Sequence, residues 1–194
     1  MNDGWSQTYT GRKVYPLELK PEHIFIEDIA WQLSGVMRYS AACKFDYSVA
    51  QHSLLISQKM REDNFSKTSC LCGLMHDSHE IYPPGDISSV LKMQYPDHPY
   101  IVAARELEIS NEKIVRRTFG LPGPESDVWC NVKKYDTRIV VDERLQVMHE
   151  MQYPVSDVNW GIPRNTHPLR VVIEERSRED VADDFLQTFY DLYT

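Results

Sequence analysis

CGLMHDSHEIYPPGDI, residues 72–87, carries an apolar run directly into two histidines and three carboxylates. The obvious stop is Pro83-Pro84-Gly85, so the spacing predicts a helix over 66–82. On that helix His76 and Glu80 lie four apart on one face, with Asp77 three before Glu80. A helix that begins as core and ends in ligand-type side chains needs partners on other elements. The fold turns on whether the rest of the chain can supply them.

Working outward, IEDIAWQLSGV (26–36) places Ile26, Ile29, Ala30, Leu33 and Val36 at helical spacing. In YSVAQHSLLISQKM, Ser48 and Gln51 have capping-box spacing, which starts a helix at Val49 and puts His52 in its first turns. Asp86 is placed to cap a short helix over 87–93. Two longer helices are expected at 98–119 and 125–150, parted by GLPGPES. Beyond Met151 the chain is proline-rich, VVIEE (171–175) reads as a short strand, and SREDVADDFLQTFYDLY closes as an amphipathic helix capped by Ser177. Strand signals are otherwise nearly absent. The expectation is an all-α helical bundle: an extended arm over 1–23, a helical core over 24–150, and a C-terminal extension over 151–194 packing on that core.

With 194 residues, 42% hydrophobic and 26% charged, the chain can bury a real core. A net charge of −8 argues against a nucleic-acid or anionic-membrane partner, since both demand a basic surface. Apolar runs fall far short of the roughly 18–20 residues a membrane span requires, and the N-terminus lacks the apolar core of a signal peptide. Cys43, Cys70, Cys72 and Cys130 form no C-x-x-C pair, which reads as reduced cysteines in a cytoplasmic protein.

Two ligands do not make a site. His52 is one candidate partner, and the helix over 125–150 offers Asp127, Asp136 and Asp142. Asp136, Val140 and Glu143 form one stripe, with Lys133 a turn before. Imidazole with carboxylate suits a divalent ion such as Mn, Co, Zn, Ni or Mg. His79 sits about 100° from Glu80 around a helix and reads as bystander surface. An isolated histidine in an apolar helix is more often core than ligand, and an HD dipeptide is common by chance. The ordered set is what carries information.

The order His52, His76-Asp77, Asp136 resembles the HD superfamily of metal-dependent phosphohydrolases. IEDIAWQLS, YSVAQHS, LMHDSHE, GDISSVLK and VKKYDTRIVVDERLQVM look like successive blocks of a bacterial and phage nucleotide-directed branch, over roughly residues 8 to 150. The resemblance implies an HD-domain bundle in which His52, His76, Asp77 and Asp136 ligate a divalent metal. It also implies that Glu80 orients the attacking water and accepts its proton. Arg38, Lys92 and Lys133 stand where related enzymes place phosphate-binding residues, and Tyr39 where phage dATP triphosphohydrolases place an aromatic that holds the base. Many relatives carry a glycine pair after that aromatic; here the residues are Ser40-Ala41-Ala42.

The implied function is hydrolysis of a small deoxynucleotide. A dNTP, dATP first, would yield deoxynucleoside and triphosphate. Alternatives are a 5′-deoxynucleotidase acting on dNMPs, an HD phosphodiesterase of signalling nucleotides, and a non-catalytic acidic binding module. Relatives form dimers and larger rings, so a homo-oligomer is expected.

Overall fold

The computed structural model describes residues 4–152, 162–163 and 165–194. The chain is all-α, with seven α-helices among the described residues: α1 (Ile26–Leu33), α2 (Val49–Glu62), α3 (Lys67–Met75), α4 (Ser89–Gln94), α5 (Pro99–Thr118), α6 (Asp127–Gln146) and α7 (Arg178–Tyr193). None of these is long and apolar enough to cross a membrane.

The centre is the packing of α2 on α3, joined by a short turn. Ser48 caps α2 by accepting from the Gln51 amide at 3.2 Å, and Ser66 caps α3 in the same way from Ser69. Only half of the expected capping box forms, because the Gln51 side chain donates to the Glu174 carbonyl instead. α2 buries Val49, Ala50, Leu54, Ile56 and Met60, while α3 is buried on nearly every side. Gly73 makes the close approach possible: a Cβ there would stand 2.9 Å from Met60 Sδ and 3.2 Å from Ile56 Cγ2. A side chain at residue 73 would force the Met60 and Ile56 side chains of α2 to shift.

α1 adds Ile26, Ile29, Ala30 and Leu33 to the same apolar core, α6 adds Val132, Tyr135 and Ile139, and α7 adds Val181, Phe185, Phe189 and Leu192. The C-terminal helix is therefore continuous with the core. At the other end, the arm folds back as a two-stranded hairpin, β1 (Ser6–Gln7) against β2 (Lys13–Val14). Buried Asp28 anchors it, accepting from the Thr10 amide at 2.8 Å and the Thr10 hydroxyl at 3.0 Å.

Four local expectations are corrected. The helix expected over 66–82 stops at Met75 and restarts as a 3-10 turn, Ser78–Ile81, so the break precedes the prolines by seven residues. α4 begins at Ser89 after Ser88, not under an Asp86 cap. α6 ends at Gln146, short of 150. VVIEE is extended but joins no sheet, because side chains satisfy the backbone around it. Asp142 accepts from the Leu169 and Arg170 amides at 2.6 and 3.0 Å. Gln146 brackets Val171 and Ile173, and Gln51 takes Glu174. Much of the proline-rich stretch after Met151 lies outside the described residues.

Asp142 is thus a strap for the segment leading to α7. Asp142→Ala removes two hydrogen bonds to a buried charge, and we expect a loss of about 2–4 kcal/mol in chemical denaturation. Divalent-metal stoichiometry, measured by elemental analysis on the folded protein, should be unchanged.

Candidate metal centre and its surroundings

Three separate elements bring the ligand candidates together. His52 lies in the first turn of α2 and is fully buried. His76 is the C-cap of α3, and Asp77 follows it at φ −103°, ψ 11°, the sparsely populated bridge conformation. Asp136 projects from the middle of α6. One ligand atom each from His52, His76 and Asp136 lies within 4.8 Å of the others. Asp77 Oδ2 stands 2.9 Å from His76 Nε2 and 3.9 Å from His52 Nε2, and Asp136 Oδ1 stands 3.4 Å from His52 Nε2. Of the three aspartates on α6 left open by the sequence, Asp136 joins this group. Asp142 holds the strap, and Asp127 is exposed in the first helical turn.

Hydrogen bonding fixes which face of each imidazole looks inward. His52 Nδ1 meets Glu143 Oε1 at 2.6 Å. Burial alone would raise the Glu143 carboxyl, but the Arg38 and His52 charges and its hydrogen bonds bring it down to about 2. As an ionised acceptor it requires a proton on His52 Nδ1, which leaves the Nε2 lone pair facing Asp136 and Asp77. His76 Nδ1 lies 2.9 Å from the Gly73 carbonyl, an acceptor with the same effect. Neither Nε2 has a hydrogen-bond partner among the described residues; the short His76–Asp77 approach lacks hydrogen-bond alignment.

The result is a cluster of acceptors: two imidazole nitrogens and two carboxylates. Burial would raise both aspartates, yet His76 in its protonated form holds Asp77 well below the ordinary carboxylate range. The His52 contact, a protonated His76 and Lys133 do the same for Asp136, a positive charge that a cation would supply in place of the ring protons. Two anions and two ring lone pairs at this spacing fit a divalent cation of the borderline to hard type. The neighbouring groups that orient the rings are the kind that metal-bound histidines use.

Around this centre, Glu80 Oε2 is buried without a hydrogen-bond partner among the described residues. Burial, then the charges of Asp77 and Asp86, push its carboxyl well above the ordinary range, against the pull of Arg38 and Lys92. Because the α-helix has already ended, Glu80 sits in a 3-10 turn of its own, and a helix C-terminal dipole is not what perturbs it. His79 is not surface. It is half-buried, Nδ1 is enclosed without a partner, and burial lowers its pKa.

The basic residues are largely committed. Lys133 Nζ holds Asp136 Oδ2 at 2.6 Å, and Lys92 Nζ holds Glu108 at 2.7 Å. Arg38 places Nη2 3.0 Å from Glu143 Oε2, while its Nε is buried without a partner. Tyr39 donates its hydroxyl to the same Oε2. Tyr39, Ser40 and Ala41 all adopt positive φ, at 54°, 52° and 61°. This is left-handed backbone, costing roughly 1 kcal/mol per non-glycine residue. A cleft of about 550 Å³ lined by Ser34, Ser48, Gln51 and Arg176 contains none of the four ligands.

The sequence reading placed Glu143 on the Asp136 stripe without a role and passed over Tyr47, whose hydroxyl donates to Glu143 Oε1 at 2.9 Å. The seven-residue step from Asp136 to Glu143 was the available signal, since it keeps both on one face of α6.

No family model matches the chain. It is 32% identical over 116 residues to the uncharacterized protein YfdR of Escherichia coli K12, covering 60% of this chain and 58% of that protein. Over 126 residues it is 33% identical to the uncharacterized protein RCAP_rcc00048 of Rhodobacter capsulatus, covering 63% and 61%. The match spans about three fifths of each of these curated relatives, and neither name states an activity. The chemistry has to be argued from the site.

Two measurements follow from the geometry. Burial alone would lower His76, but Asp77 and Asp136 raise it above the ordinary histidine value, so a proton competes with a cation for Nε2 from a higher pH. Apparent Co²⁺ affinity in calorimetric titrations between pH 8 and 5.5 should fall about tenfold per unit once pH drops below that raised value. The two aspartates stay ionised through this window and add no slope. In the turn, Ala41→Gly relieves left-handed strain at some entropic cost and should raise stability by about 0.5 kcal/mol in thermal unfolding.

Proposed function

We propose that the chain is a metal-dependent phosphohydrolase of the HD type acting on deoxynucleotides, with a dNTP, dATP first, as substrate. The observation that carries this reading is the convergence of His52 Nε2, His76 Nε2, Asp77 and Asp136, with both rings oriented from behind. A divalent cation held by these four residues supplies positive charge opposite the phosphoryl oxygens and acidifies water at the site.

The remaining work falls to the chain's own groups. Phosphoryl transfer is mostly positioning and charge stabilisation. Arg38 is the cation best placed for it, anchored by one nitrogen while its Nε is uncommitted among the described residues. Lys133 and Lys92 add positive charge from the flanks while holding Asp136 and Glu108. Glu80 has its pKa shifted upward, the direction that general acid–base chemistry uses. It accepts the proton of the attacking water. The water oxygen bonds to the α-phosphorus and the bond from that phosphorus to the 5′ oxygen breaks. The nucleoside leaves as its 5′ oxygen takes a proton from solvent, while Glu80 returns the one it accepted to solvent. Tyr39 stands in the turn next to Arg38, its hydroxyl tied to Glu143, at the position where the resembled enzymes place an aromatic that holds the base.

The test is a screen of the common dNTPs and dNMPs with Mn²⁺, Co²⁺ and Mg²⁺, products resolved by chromatography. Nucleoside and tripolyphosphate are expected in equal amounts from a dNTP. Stepwise loss of single phosphates from a dNTP overturns the proposal. Glu80→Gln should retain metal and lose about 10²- to 10⁴-fold in turnover, the share of a general base. Asp77→Ala should lose stoichiometric metal with its helical circular dichroism intact.

A further inference from the structure

Glu143 lies behind His52, on the side of the ring away from Asp77 and Asp136. It is fully buried on α6, and its two carboxylate oxygens serve two different pairs of neighbours. Oε1 faces the core side, taking His52 Nδ1 at 2.6 Å and the Tyr47 hydroxyl at 2.9 Å. Oε2 faces the turn, taking Arg38 Nη2 at 3.0 Å and the Tyr39 hydroxyl. One side fixes a cation ligand, and the other fixes the residues that open the strained run 39–41.

We propose that Glu143 is a positioning residue that couples the cation site to the substrate-binding turn, so that a divalent cation at His52 orders the segment around Arg38 and Tyr39 for a nucleotide. The inference rests on the cation site and turn proposed above. The physical route is short. A cation on His52 Nε2 draws electron density from the ring and strengthens the Nδ1–H bond to Oε1. That bond fixes the carboxylate plane, and the same rigid plane sets where Oε2 meets Arg38 and Tyr39. Coupling is reciprocal, so a phosphate held by Arg38 also tightens the cation.

The shape of a carboxylate matters here. In Glu143→Gln, one of the two positions becomes an NH₂ donor whichever way the amide turns. Tyrosine hydroxyls can rotate to accept from it, but Arg38 cannot. His52 can do so only by moving its proton to Nε2, which blocks the ligand atom.

Hydrogen exchange with mass spectrometry on the full chain, with and without saturating Co²⁺, reads the coupling without relying on activity. The reporters are amides in 37–44: Arg38 bonded to the Tyr47 carbonyl, Ala42 to Tyr39 and Lys44 to Val147. In the wild type, Co²⁺ should slow exchange of this segment at least fivefold. Glu143→Gln should bind Co²⁺ about 10- to 100-fold more weakly and, once saturated, show no such protection. Nitrogen-15 shifts of His52 should move from the Nδ1–H form toward the Nε2–H form in that variant. If the variant does not fold, Tyr39→Phe carries the test: Co²⁺ affinity within about twofold of wild type, with at least half the protection of 37–44 gone. Wild-type protein that takes up no Co²⁺ overturns the cation site itself. Wild-type uptake with equal protection in wild type and Glu143→Gln, or in wild type and Tyr39→Phe, overturns the coupling alone.

Discussion

A carboxylate with no exposure to water is the constraint around which this molecule is arranged. Burying the Glu143 charge without partners would cost many kcal/mol, and one donor would not offset it. Four donors from three places satisfy it: Arg38 and Tyr39 in the turn, Tyr47 ahead of α2, and His52 within α2. Satisfying one buried group therefore forces α6, α2 and the turn into a single relative placement. That placement sets His52 opposite Asp136, about two helical turns before Glu143 on the same face of α6.

A second constraint comes from α3. Gly73 lets α3 settle against Met60 and Ile56 of α2, and its carbonyl then orients the His76 ring. The helix ends immediately afterward. Had it continued, Asp77 would have pointed about 100° away from His76 around the axis. The bridge conformation at Asp77 turns its carboxylate back to 2.9 Å from His76 Nε2 instead. His76 keeps helical dihedrals, φ −61° and ψ −37°, and the chain departs at Asp77, so the two side chains meet at the helix end.

These details show what could be read in advance. The all-α architecture followed from hydrophobic spacing and caps: Ser48 and Ser177 cap where the pattern put them, and Ile26, Ile29, Ala30 and Leu33 are buried together. His52 and His76 were legible as candidates from residue type and helix position, whereas Asp136 was set apart from Asp127 and Asp142 only by the family resemblance. The break after Met75 was not, because no glycine or proline marks it and the conspicuous Pro83-Pro84 drew the boundary outward. The extended segment at 171–175 has strand-like composition, but what it pairs with is a row of side chains on α2 and α6, which periodicity cannot reveal. Glu143 was equally opaque. A carboxylate on a charged helix is usually solvated, and only the convergence of four distant donors distinguishes this one.

The strained turn and the acceptor cluster are two halves of one arrangement. Three consecutive left-handed residues persist only if the surroundings over-determine them. Here the surroundings are the bonds from Arg38 and Tyr39 to Glu143 and the backbone bond from Arg38 to Tyr47. Facing them, two aspartates and two ring nitrogens repel one another unless positive charge lies between, whether a ring proton or a metal. Both features are unfavourable in isolation, and both lean on the same buried carboxylate. Folding stability from the apolar core of α1, α2, α3, α6 and α7 is what holds them in place. This pattern, local cost concentrated where ligands converge and offset by packing elsewhere, is what a site built for charge stabilisation requires. On the proposed function, acceptors that relaxed to relieve their repulsion would have to be reorganised, at a cost, each time a cation and phosphate arrived.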